Sequence, residues 1–585
     1  MAVEKLIVDH IDTWTTALQT RSTAGRGSSG KIDLYGIKKL RELILELAVR
    51  GKLVPQDPND EPASVLLERI AAEKAELVKQ GKIKKQKPLP EISEEEKPFE
   101  LPEGWEWTTL NTLAEINPKI DVSNDEQDIS FVPMPLISTK FDGSHDFEVR
   151  KWKEVKKGYT HFANGDIAIA KITPCFENSK AAIFSGLKNN VGVGTTELHV
   201  ARPYSQAVNQ QYLLLNFKSP SFLKTGESQM TGSAGQKRVP RNFFENYPLP
   251  YPPLQEQERI VNNFTQLMIL CDHLEQHSLT SLEAHQQLVE TLLTTLTDSQ
   301  NADELAENWA RISKHFDTLF TTEASIDALK QTILQLAVMG KLVPQDPNDE
   351  PASELLRRIA QEKAQLVKDG KMKKQKPLPP ISDEEKPFEL PEGWEWCRLG
   401  HVASKITDGD HKTPPRIAEG YKLLSAKNIR DGFLDYENCD YISESSYIKS
   451  RERCLPEKGD LLIVSVGGTI GRSSLITGNS EFALVRSVAI IKPLIIEPNF
   501  LKIAMDSQLL QSMIHSHKRG GAQPCLYLGE ISKFLFPAPP LNEQRRIVKT
   551  VNIFMGMLET LTLAFNSAQQ TQLHLADALT DAAIN

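Results

Sequence analysis

Cysteine is scarce in this 585-residue sequence, and the six that occur are scattered without a CxxC pair. A zinc knuckle or a disulfide framework needs clustered or regularly paired cysteines, so this spacing disfavours both. Isolated thiols of this kind are typical of ordinary buried residues in a reducing cytosol.

Long apolar runs are also missing. None approaches the roughly 20 residues that a membrane-spanning helix requires. The opening MAVEKLIVDHIDTW carries acidic residues and lacks the apolar segment of a secretion signal. With 40% apolar and 25% charged residues, the chain is predicted to be a cytoplasmic globular protein of roughly three to five structural units, with no membrane partner.

Familiar catalytic motifs are absent. The sequence has no Walker A motif, GxGxxG fingerprint, HExxH helix or Asn-Pro-Pro-aromatic signature. GVGTTE, from Gly192, and GGTIGR, from Gly467, lack the phosphate-loop spacing and lysine, so we predict turns there. Glu154 and Lys156 form an ExK triplet that so charged a chain contains by chance. We therefore predict a binding protein without a catalytic residue, metal or cofactor of its own.

The net charge of −9 is unevenly distributed. Residues 108–250 carry 16 Lys and Arg against 14 Asp and Glu, and residues 397–538 carry 18 against 15. The rest of the chain carries 34 against 48. Because nucleic-acid binding depends on a local positive face, the acidic total does not exclude it.

The chain contains a long internal repeat. Residues 47–107 return as residues 336–396, at an offset of 289 and with nine differences. PPLQEQERIV, from Pro252, returns as PPLNEQRRIV, from Pro539. We call these repeated segments the frame. Between them lie two inserts, residues 108–250 and 397–538, of similar length and different sequence. A recent duplication with random drift would explain this, but a frame fixed by a common partner around two inserts with different targets explains it better.

The repeat is also circular. The second copy stops at ALTDAAIN, whereas the first continues from TLTDSQ into further helical sequence. The N-terminal HIDTWTTAL and IKKLRELIL resemble that continuation, so we expect the two ends to meet and the repeats to be related by a pseudo-twofold axis.

The frame is predicted to be helical. Each Pro-Pro marker precedes about 40 residues with apolar side chains at helical spacing, which predicts two long antiparallel coiled-coil helices of about 60 Å. Helices from Ile37 and Ile326 should end at Gly51 and Gly340. Two short charged helices should follow, with Ser64 and Ser353 as N-caps. The tracts KIKKQKPLP and KMKKQKPLP are predicted extended linkers that either contact phosphates or a partner, or are simply solvated.

The inserts are predicted to be mixed α/β domains. GDIAIAKI, from Gly165, and GDLLIVSV, from Gly459, are typical of buried strands. The predicted fold is therefore α/β, with two globular target recognition domains joined by two long antiparallel coiled-coil helices in a circular pseudo-twofold repeat. The predicted segments are an N-terminal helical segment (1–50), a charged helix and linker (51–104), recognition domain 1 (105–250), a central helix (251–298), a helical conserved segment (299–340), a second charged helix and linker (341–393), recognition domain 2 (394–538) and a C-terminal helix (539–585).

These features resemble the specificity (S) subunit of type I restriction-modification systems. The frame GKLVPQDPNDEPAS…KPLP…ELPEGWEW resembles that family's repeated regions. ITDGDHKTPP, LLSAKNI and GDLLIVSVGGTIGRSSLI in the second insert resemble its recognition-domain motifs. The first insert departs from this pattern, since AKITPCFENSK stands where VSVGGTIGRSS does. Its assignment as a recognition domain rests on its position in the frame.

The resemblance implies a DNA-reading function. Each domain would read one half of a split, asymmetric target in double-stranded DNA, and the helices would set the gap between the halves. Two methyltransferase (M) subunits would methylate adenine N6 with S-adenosylmethionine, and two restriction/translocase (R) subunits would use ATP and Mg²⁺. Those cofactors would belong to the partners.

Candidate DNA-binding residues are polar side chains in glycine-containing loops, which can approach a groove closely. In domain 1 they follow the Gly-Asp strand or lie in the exit loop before the first Pro-Pro marker, at Pro252: Lys171, Thr173, Asn178, Ser179, Lys180, Gln236, Lys237, Arg238 and Arg241. In domain 2 they lie in the ITDG loop, after the Gly-Asp strand and in the exit loop: Thr407, Asp408, His411, Lys412, Thr413, Ser465, Thr469, Arg472, Lys518, Arg519 and Gln523.

Two alternatives share much of this evidence. The chain could serve as the recognition subunit of a related methyltransferase or restriction class. It could also be a duplicated coiled-coil scaffold that binds no DNA.

Overall fold

The computed structural model describes residues 3–21, 31–84, 92–233, 235–478, 480–521 and 523–584. The chain divides into two units. Unit 1 comprises residues 1–19, 33–279 and 569–585, and unit 2 comprises residues 20–32 and 280–568. Each unit therefore combines one insert with helices from distant parts of the sequence.

The N-terminal part of the chain is mainly helical. Its elements are α1 (Val3–Asp9), α2 (Ile11–Thr16), β1 (Gln19–Arg21), β2 (Lys31–Asp33), α3 (Tyr35–Val49) and α4 (Ala63–Lys79). The helix predicted to end at Gly51 is confirmed as α3, and Gly51 adopts a φ of +68° that glycine tolerates best. The first basic tract falls mostly on residues 85–91, outside the described residues.

The predicted N-caps of the two charged helices are wrong. α4 begins at Ala63 with Pro62 as its N-cap, and its counterpart in unit 2 begins at Ala352 with Pro351 as its N-cap. The amide of Ala63 donates to the carbonyl of Gly104 at 2.9 Å, and the amide of Ala352 to that of Gly393 at 2.8 Å. A distant backbone acceptor thus takes the first helical amide, which sequence periodicity does not reveal.

The first insert folds into two four-stranded sheets and one two-stranded sheet. Its elements are β3 (Glu106–Thr109), α5 (Leu110–Leu113), β4 (Ala114–Ile116), β5 (Asp128–Val132), β6 (Glu148–Lys151), α6 (Trp152–Val155), β7 (Thr160–Ala163), β8 (Ile167–Ala170), β9 (Ala181–Ile183), β10 (Val191–Gly194), β11 (Leu198–Pro203), α7 (Gln210–Lys218), α8 (Pro220–Ser228), α9 (Arg241–Asn246) and β12 (Pro248–Tyr251). The strand orders are β4-β11-β8-β9, β6-β5-β10-β7 and β12-β3.

The predicted Gly-Asp strand is confirmed, whereas one predicted turn is wrong. All four residues of β8 are buried. GVG, expected as a turn, forms β10, with every residue buried. A Cβ on Gly192 would lie 2.2 Å from Cε2 of Phe162. Glycine is needed here because an aromatic ring covers the strand, a packing reason that the sequence does not display.

The frame of unit 2 repeats that of unit 1. After α10 (Leu254–Asp298) come α11 (Ala302–Lys314), α12 (Phe316–Leu319), α13 (Glu323–Val338) and α14 (Ala352–Lys368). The second basic tract lies outside any helix or strand and is mostly exposed from residue 373 to residue 380. Gly340 ends the helical segment with a φ of +70°, as predicted.

The second insert contains the same kinds of element. They are β13 (Glu395–Arg398), β14 (Ala403–Asp408), β15 (Arg416–Ile417), β16 (Tyr421–Leu424), β17 (Asp440–Ile442), α15 (Glu444–Arg453), β18 (Leu461–Val464), β19 (Ser473–Leu475), β20 (Phe482–Leu484), β21 (Val488–Pro493), α16 (Pro498–Asp506), α17 (Gln508–His517), α18 (Leu528–Lys533) and β22 (Leu535–Ala538), followed by α19 (Leu541–Ile584). The sheets are β14-β21-β18-β19, β15-β17-β16-β20 and β13-β22.

The two inserts therefore share one layout despite their different sequences. In the sheet that contains the Gly-Asp strand, β4-β11-β8-β9 corresponds to β14-β21-β18-β19, with antiparallel pairing throughout. In the other large sheet, β10 pairs in parallel with β5 and β20 pairs in parallel with β16. The first insert is thus the same kind of domain as the second, as its position in the frame predicts.

The two long helices are confirmed. α10 has 45 residues and α19 has 44, which corresponds to about 65 Å each. α10 passes from unit 1 into unit 2, and α19 passes from unit 2 into unit 1. The core of unit 2 contains Val289 and Leu293 from the end of α10 and Ile547 and Val551 from the start of α19.

The circular repeat is confirmed by matching contacts within each unit. In unit 1 the Lys52 ammonium donates to the carbonyl of Ile584, near the end of α19, at 2.7 Å. In unit 2 Lys341 donates to the carbonyl of Thr297, near the end of α10, at 2.6 Å. A lysine at a helix C-terminus satisfies free carbonyls and complements the helix dipole. The N-terminal segment thus contributes to unit 1 the same contact between a lysine and a helix end that the middle of the chain contributes to unit 2.

Each long helix is joined to its domain by a buried carboxylate. Glu256 accepts from the indole Nε1 of Trp105 at 3.0 Å and from Nε2 of Gln56 at 3.1 Å. The repeat forms the same junction in unit 2, where Glu543 accepts from Trp394 at 3.0 Å and from Gln345 at 3.2 Å.

Two further contacts complete each junction. Arg259 pairs with Asp60 at 2.6 Å, and Arg546 pairs with Asp349 at 2.7 Å. Gln257 and Gln544 each accept a backbone amide from the adjoining domain and donate to a Pro carbonyl. The residues of the repeated PPLxEQxRIV sequence therefore form a fixed connection between each domain and its long helix.

α19 also meets the length and composition of a membrane-spanning helix. It contains an 18-residue window with a mean hydropathy of 1.3, of which 17% is buried, so the expectation of no such segment fails for this helix by these criteria. Part of the helix lies in the unit 2 core, whereas Ile553, Met557 and Leu563 are 51%, 62% and 66% exposed. Among the described residues of α19, these apolar side chains and Leu575, which is 41% exposed, are left uncovered.

Candidate nucleic-acid interface

In domain 1 the structure brings the two predicted loops together. The loop after β8 and the exit loop before α9 form an antiparallel bridge between Ile172 and Arg238. The amide of Thr173 donates to the carbonyl of Lys237 at 3.0 Å, and the amide of Val239 donates to that of Lys171 at 2.8 Å. Residues separated by more than 60 positions therefore form one polar surface.

Several cations of this surface already have partners. Arg238 donates to both carboxylate oxygens of Glu197, at 2.9 and 2.8 Å, and these bonds lower the pKa of Glu197. Arg241 pairs with Glu245 at 2.5 Å. The Lys180 ammonium donates to the carbonyl of Met134 at 2.8 Å. Gln236 and Lys237 are exposed.

A buried lysine supports the loop after β8. The ammonium of Lys218, at the end of α7, donates to the carbonyl of Ser179 at 2.7 Å and to that of Thr139 at 3.3 Å. Burial lowers its pKa from 10.5 to about 7. Ser179 has a φ of +53°, and its neighbour Asn178 is exposed. Sequence inspection missed Lys218 because it lies on a helix that is separate in sequence from both loops.

Domain 2 repeats the pairing of loops with other residues. The amide of Leu526 donates to the carbonyl of Ser465 at 2.8 Å, as Val239 does to Lys171 in domain 1. Arg519 and Cys525 exchange two backbone hydrogen bonds, of 2.9 and 2.7 Å. The loop after β18 and the exit loop are therefore adjacent here too.

These loops and the ITDG loop converge on a cavity of about 340 Å³. Of the predicted residues, Asp408, His411 and Ser465 line it. Arg453 and Arg486 line it as well, and sequence inspection missed both. Arg486 follows the apolar strand β20. The search for polar residues after the Gly-Asp strands would have found it if it had been extended to this strand. Arg453 lies at the end of α15, 45 residues from its partner Asp408, and no sequence signal marks it.

Asp408 lies beneath the surface of this cavity. Its side chain is 10% exposed. It accepts from Nη2 of Arg453 at 2.7 Å, and Nε2 of His411 lies 3.0 Å from its other oxygen. Its carboxylate therefore orients two more exposed side chains.

The remaining predicted residues of domain 2 lie outside the cavity lining. Thr407 is half-buried in β14, and Arg472 is half-buried with its Nε 4.0 Å from Asp431. Lys518 has its ammonium 3.3 Å from Nδ1 of His515. The other predicted side chains are exposed in their loops: Lys412, Thr413, Thr469, Arg519 and Gln523.

The described residues include no group of three or more His, Cys, Asp or Glu side chains placed to hold a metal ion. All six cysteines are unpaired. Four are buried as expected, but Cys175 and Cys525 are half-buried in the two loop surfaces.

Comparison with known proteins identifies the family of the chain. Residues 102–284 and 391–564 each match the type I restriction modification DNA specificity domain, so both inserts are covered. The chain is 69% identical to the type I restriction enzyme EcoAI specificity subunit and 62% identical to the EcoEI specificity subunit, both of Escherichia coli, over 100% of each chain. The HsdS subunit from Thermoanaerobacter tengcongensis aligns with 83% of this chain and 98% of its own, at 18% identity and a TM-score of 0.42. The chain belongs to the family of type I restriction-modification specificity subunits, the subunits that recognise the DNA sequence.

Proposed function

We propose that the chain reads a split, asymmetric target in double-stranded DNA, with one half-target for each recognition domain. The repeated pairing of the loop after the Gly-Asp strand with the exit loop carries this proposal. The pairing is the same in both domains, whereas the side chains it displays differ. A shared scaffold with different polar side chains suits two domains that dock on DNA alike and read different bases.

The junctions make the two half-targets part of one site. Because Glu256 and Glu543 fix each domain to the start of a long helix, the spacing of the half-targets is set by helices that resist bending. Two modest half-site affinities then combine through effective concentration, and targets with the wrong gap are rejected.

The chain itself carries no catalytic residue in this proposal. Two methyltransferase subunits dock on the frame and methylate adenine N6, and two restriction/translocase subunits complete the complex in the cytoplasm. The partners bind S-adenosylmethionine, ATP and Mg²⁺. The exposed apolar side chains of α19, Ile553, Met557 and Leu563, and of α10, Ile269 and Leu288, suit burial against partner helices.

Long-read mapping of N6-methyladenine tests the DNA-reading role. In cells that express the chain with its cognate methyltransferase, we expect one split motif with a fixed gap. Exchange of residues 108–250 for the insert of a relative should change one half of the motif only. Methylation that is absent, or that persists unchanged after deletion of the chain, would contradict the proposal.

Salt dependence tests the proposed surface of domain 1. Lys237→Ala should reduce the magnitude of the negative slope of log affinity against log salt by about 0.9, because one phosphate contact is lost. Lys188→Ala, an exposed lysine between β9 and β10, should leave the slope unchanged. Equal slopes for both variants would remove the exit loop from the interface.

A further inference from the structure

The domain 2 cavity contains two arginines in different electrostatic situations. Arg453 donates from Nη2 to Asp408 at 2.7 Å, and the same nitrogen lies 2.8 Å from Nε2 of His411. Its backbone carbonyl also accepts from the ammonium of Lys405 at 2.8 Å. Arg486, which lines the same cavity, is exposed, and its guanidinium has no hydrogen bond or ion pair to any described residue.

The carboxylate of Asp408 fixes the direction of the Arg453 guanidinium. Asp408 is 10% exposed, whereas Arg453 remains 44% exposed. The guanidinium is thus anchored along one side and open on the other. Its Nη1 group, with two N–H donors, has no partner among the described residues. A guanidinium held in this way presents donors in a preset direction and loses little rotamer freedom on binding.

The same ion pair also reduces the attraction of Arg453 for phosphate. The charges of Arg453 and Asp408 lie 2.7 Å apart and largely cancel at the distance of a DNA backbone. Oriented donors with little net charge suit recognition by hydrogen-bond direction. An unpaired, exposed cation such as Arg486 suits attraction to phosphate, which depends on charge.

We propose that Arg453 is a base-reading residue of domain 2 that donates to the N7 and O6 atoms of a guanine. Asp408 and His411 are its positioning residues, and Arg486 contacts a phosphate beside it. Guanine is the base whose major-groove edge offers two acceptors and no donor, which matches the two N–H donors of Nη1 that no described residue engages. This inference rests on the proposed DNA-reading function and adds the identity of a reading residue and of the base it takes.

The test uses the full complex of the chain with its methyltransferase. The probes are a 30-base-pair duplex, on the order of the span of a split site, that carries the mapped target, and the duplexes with each single base-pair change in the half assigned to domain 2. Arg453→Ala should weaken binding to the target by about 5- to 150-fold. It should also abolish discrimination at one G·C position while the other positions keep theirs. The slope of log affinity against log salt should change by less than about half of the change expected for one phosphate contact.

Three further variants separate base reading from phosphate binding and from misfolding. Arg453→Lys keeps the charge without the fork, so it should lose the same discrimination as Arg453→Ala. Arg486→Ala should weaken binding to all duplexes alike and reduce the magnitude of the negative salt slope by about 0.9. Lys458→Ala is the control, since Lys458 is exposed and lies before β18, whereas the cavity residue Ser465 lies after it.

The positioning role of Asp408 has its own readout. Asp408→Asn removes the charge that compensates Arg453, so discrimination at the G·C position should fall. The negative salt slope should become steeper, by up to the amount expected for one extra phosphate contact. A purely structural defect would weaken binding without steepening the salt dependence.

Three outcomes would overturn this inference. They are intact discrimination in Arg453→Ala, retained discrimination in Arg453→Lys, and a mapped half-target for domain 2 without a G·C pair. If the unmodified complex fails to discriminate between any of the duplexes, the proposed DNA-reading function itself fails, which is a different result.

Discussion

Replacement of Trp105 by Phe tests the junction between domain 1 and α10. Glu256 is 1% exposed, and the Trp105 indole and Gln56 are its two side-chain hydrogen-bond donors among the residues that the structure describes. Trp105→Phe keeps an aromatic ring but leaves the carboxylate with one donor. The equivalent change, Trp394→Phe, does the same to Glu543, where the indole bond is also 3.0 Å long.

The expected cost follows from the lost bond and the smaller ring. A hydrogen bond to a charged group contributes about 1.5–3 kcal/mol, and the volume lost from a ring that is 5% exposed adds about 1 kcal/mol. We therefore expect each variant to lose about 3 kcal/mol of local stability. Trp107→Phe is the matched control. Its ring packs against Phe99, and its indole nitrogen has no hydrogen bond within the described part of the chain, so it should lose about 1 kcal/mol.

Hydrogen exchange followed by mass spectrometry is the suitable assay, because a chain of two units need not unfold in one step. The free energy of local opening is measured for the first turns of α10 and α19 in increasing urea. Equal losses for Trp105→Phe and Trp107→Phe would refute the importance of the buried bond. A loss in one unit without a similar loss in the other would refute the equivalence of the two junctions.

Four more changes complete the predictions, and three of them are at buried positions. Burial raises the pKa of Glu256 above its usual 4.5, so its contribution to stability is present below pH 4.5 and is lost as pH rises through the raised value. Glu256→Gln should therefore gain stability relative to the unmodified chain as pH increases. Urea unfolding at several pH values measures this difference. Burial lowers the pKa of Lys218 to about 7, so the stability of unit 1 should rise between pH 7 and 10.5 by up to about 1.4 kcal/mol per pH unit, and Lys218→Met should lack that rise. Gly192→Ala places a Cβ against Phe162 and should cost about 2 kcal/mol in thermal unfolding, whereas Gly556→Ala, on an uncrowded helix face, should stabilise by about 1 kcal/mol.

The repeat made much of the fold predictable. Residues 47–107 and 336–396 show which segments are equivalent, and the apolar spacing after each Pro-Pro marker predicts α10 and α19. The circular arrangement follows from the text at the two ends. The assignment of Ser64 and Ser353 as N-caps failed because a tertiary hydrogen bond, and not a side chain, satisfies the first helical amide.

The sequence by itself determined the frame, the Gly-Asp strands and the family, because these depend on local periodicity and on segments of sequence that occur twice. Only the tertiary structure decided which loop residues meet. The partnership of Asp408 with Arg453 spans 45 positions, and the support of Ser179 by Lys218 comes from a helix outside both loops. Direction and burial of a side chain arise from long-range packing, so no spacing in one unaligned chain could assign these pairs.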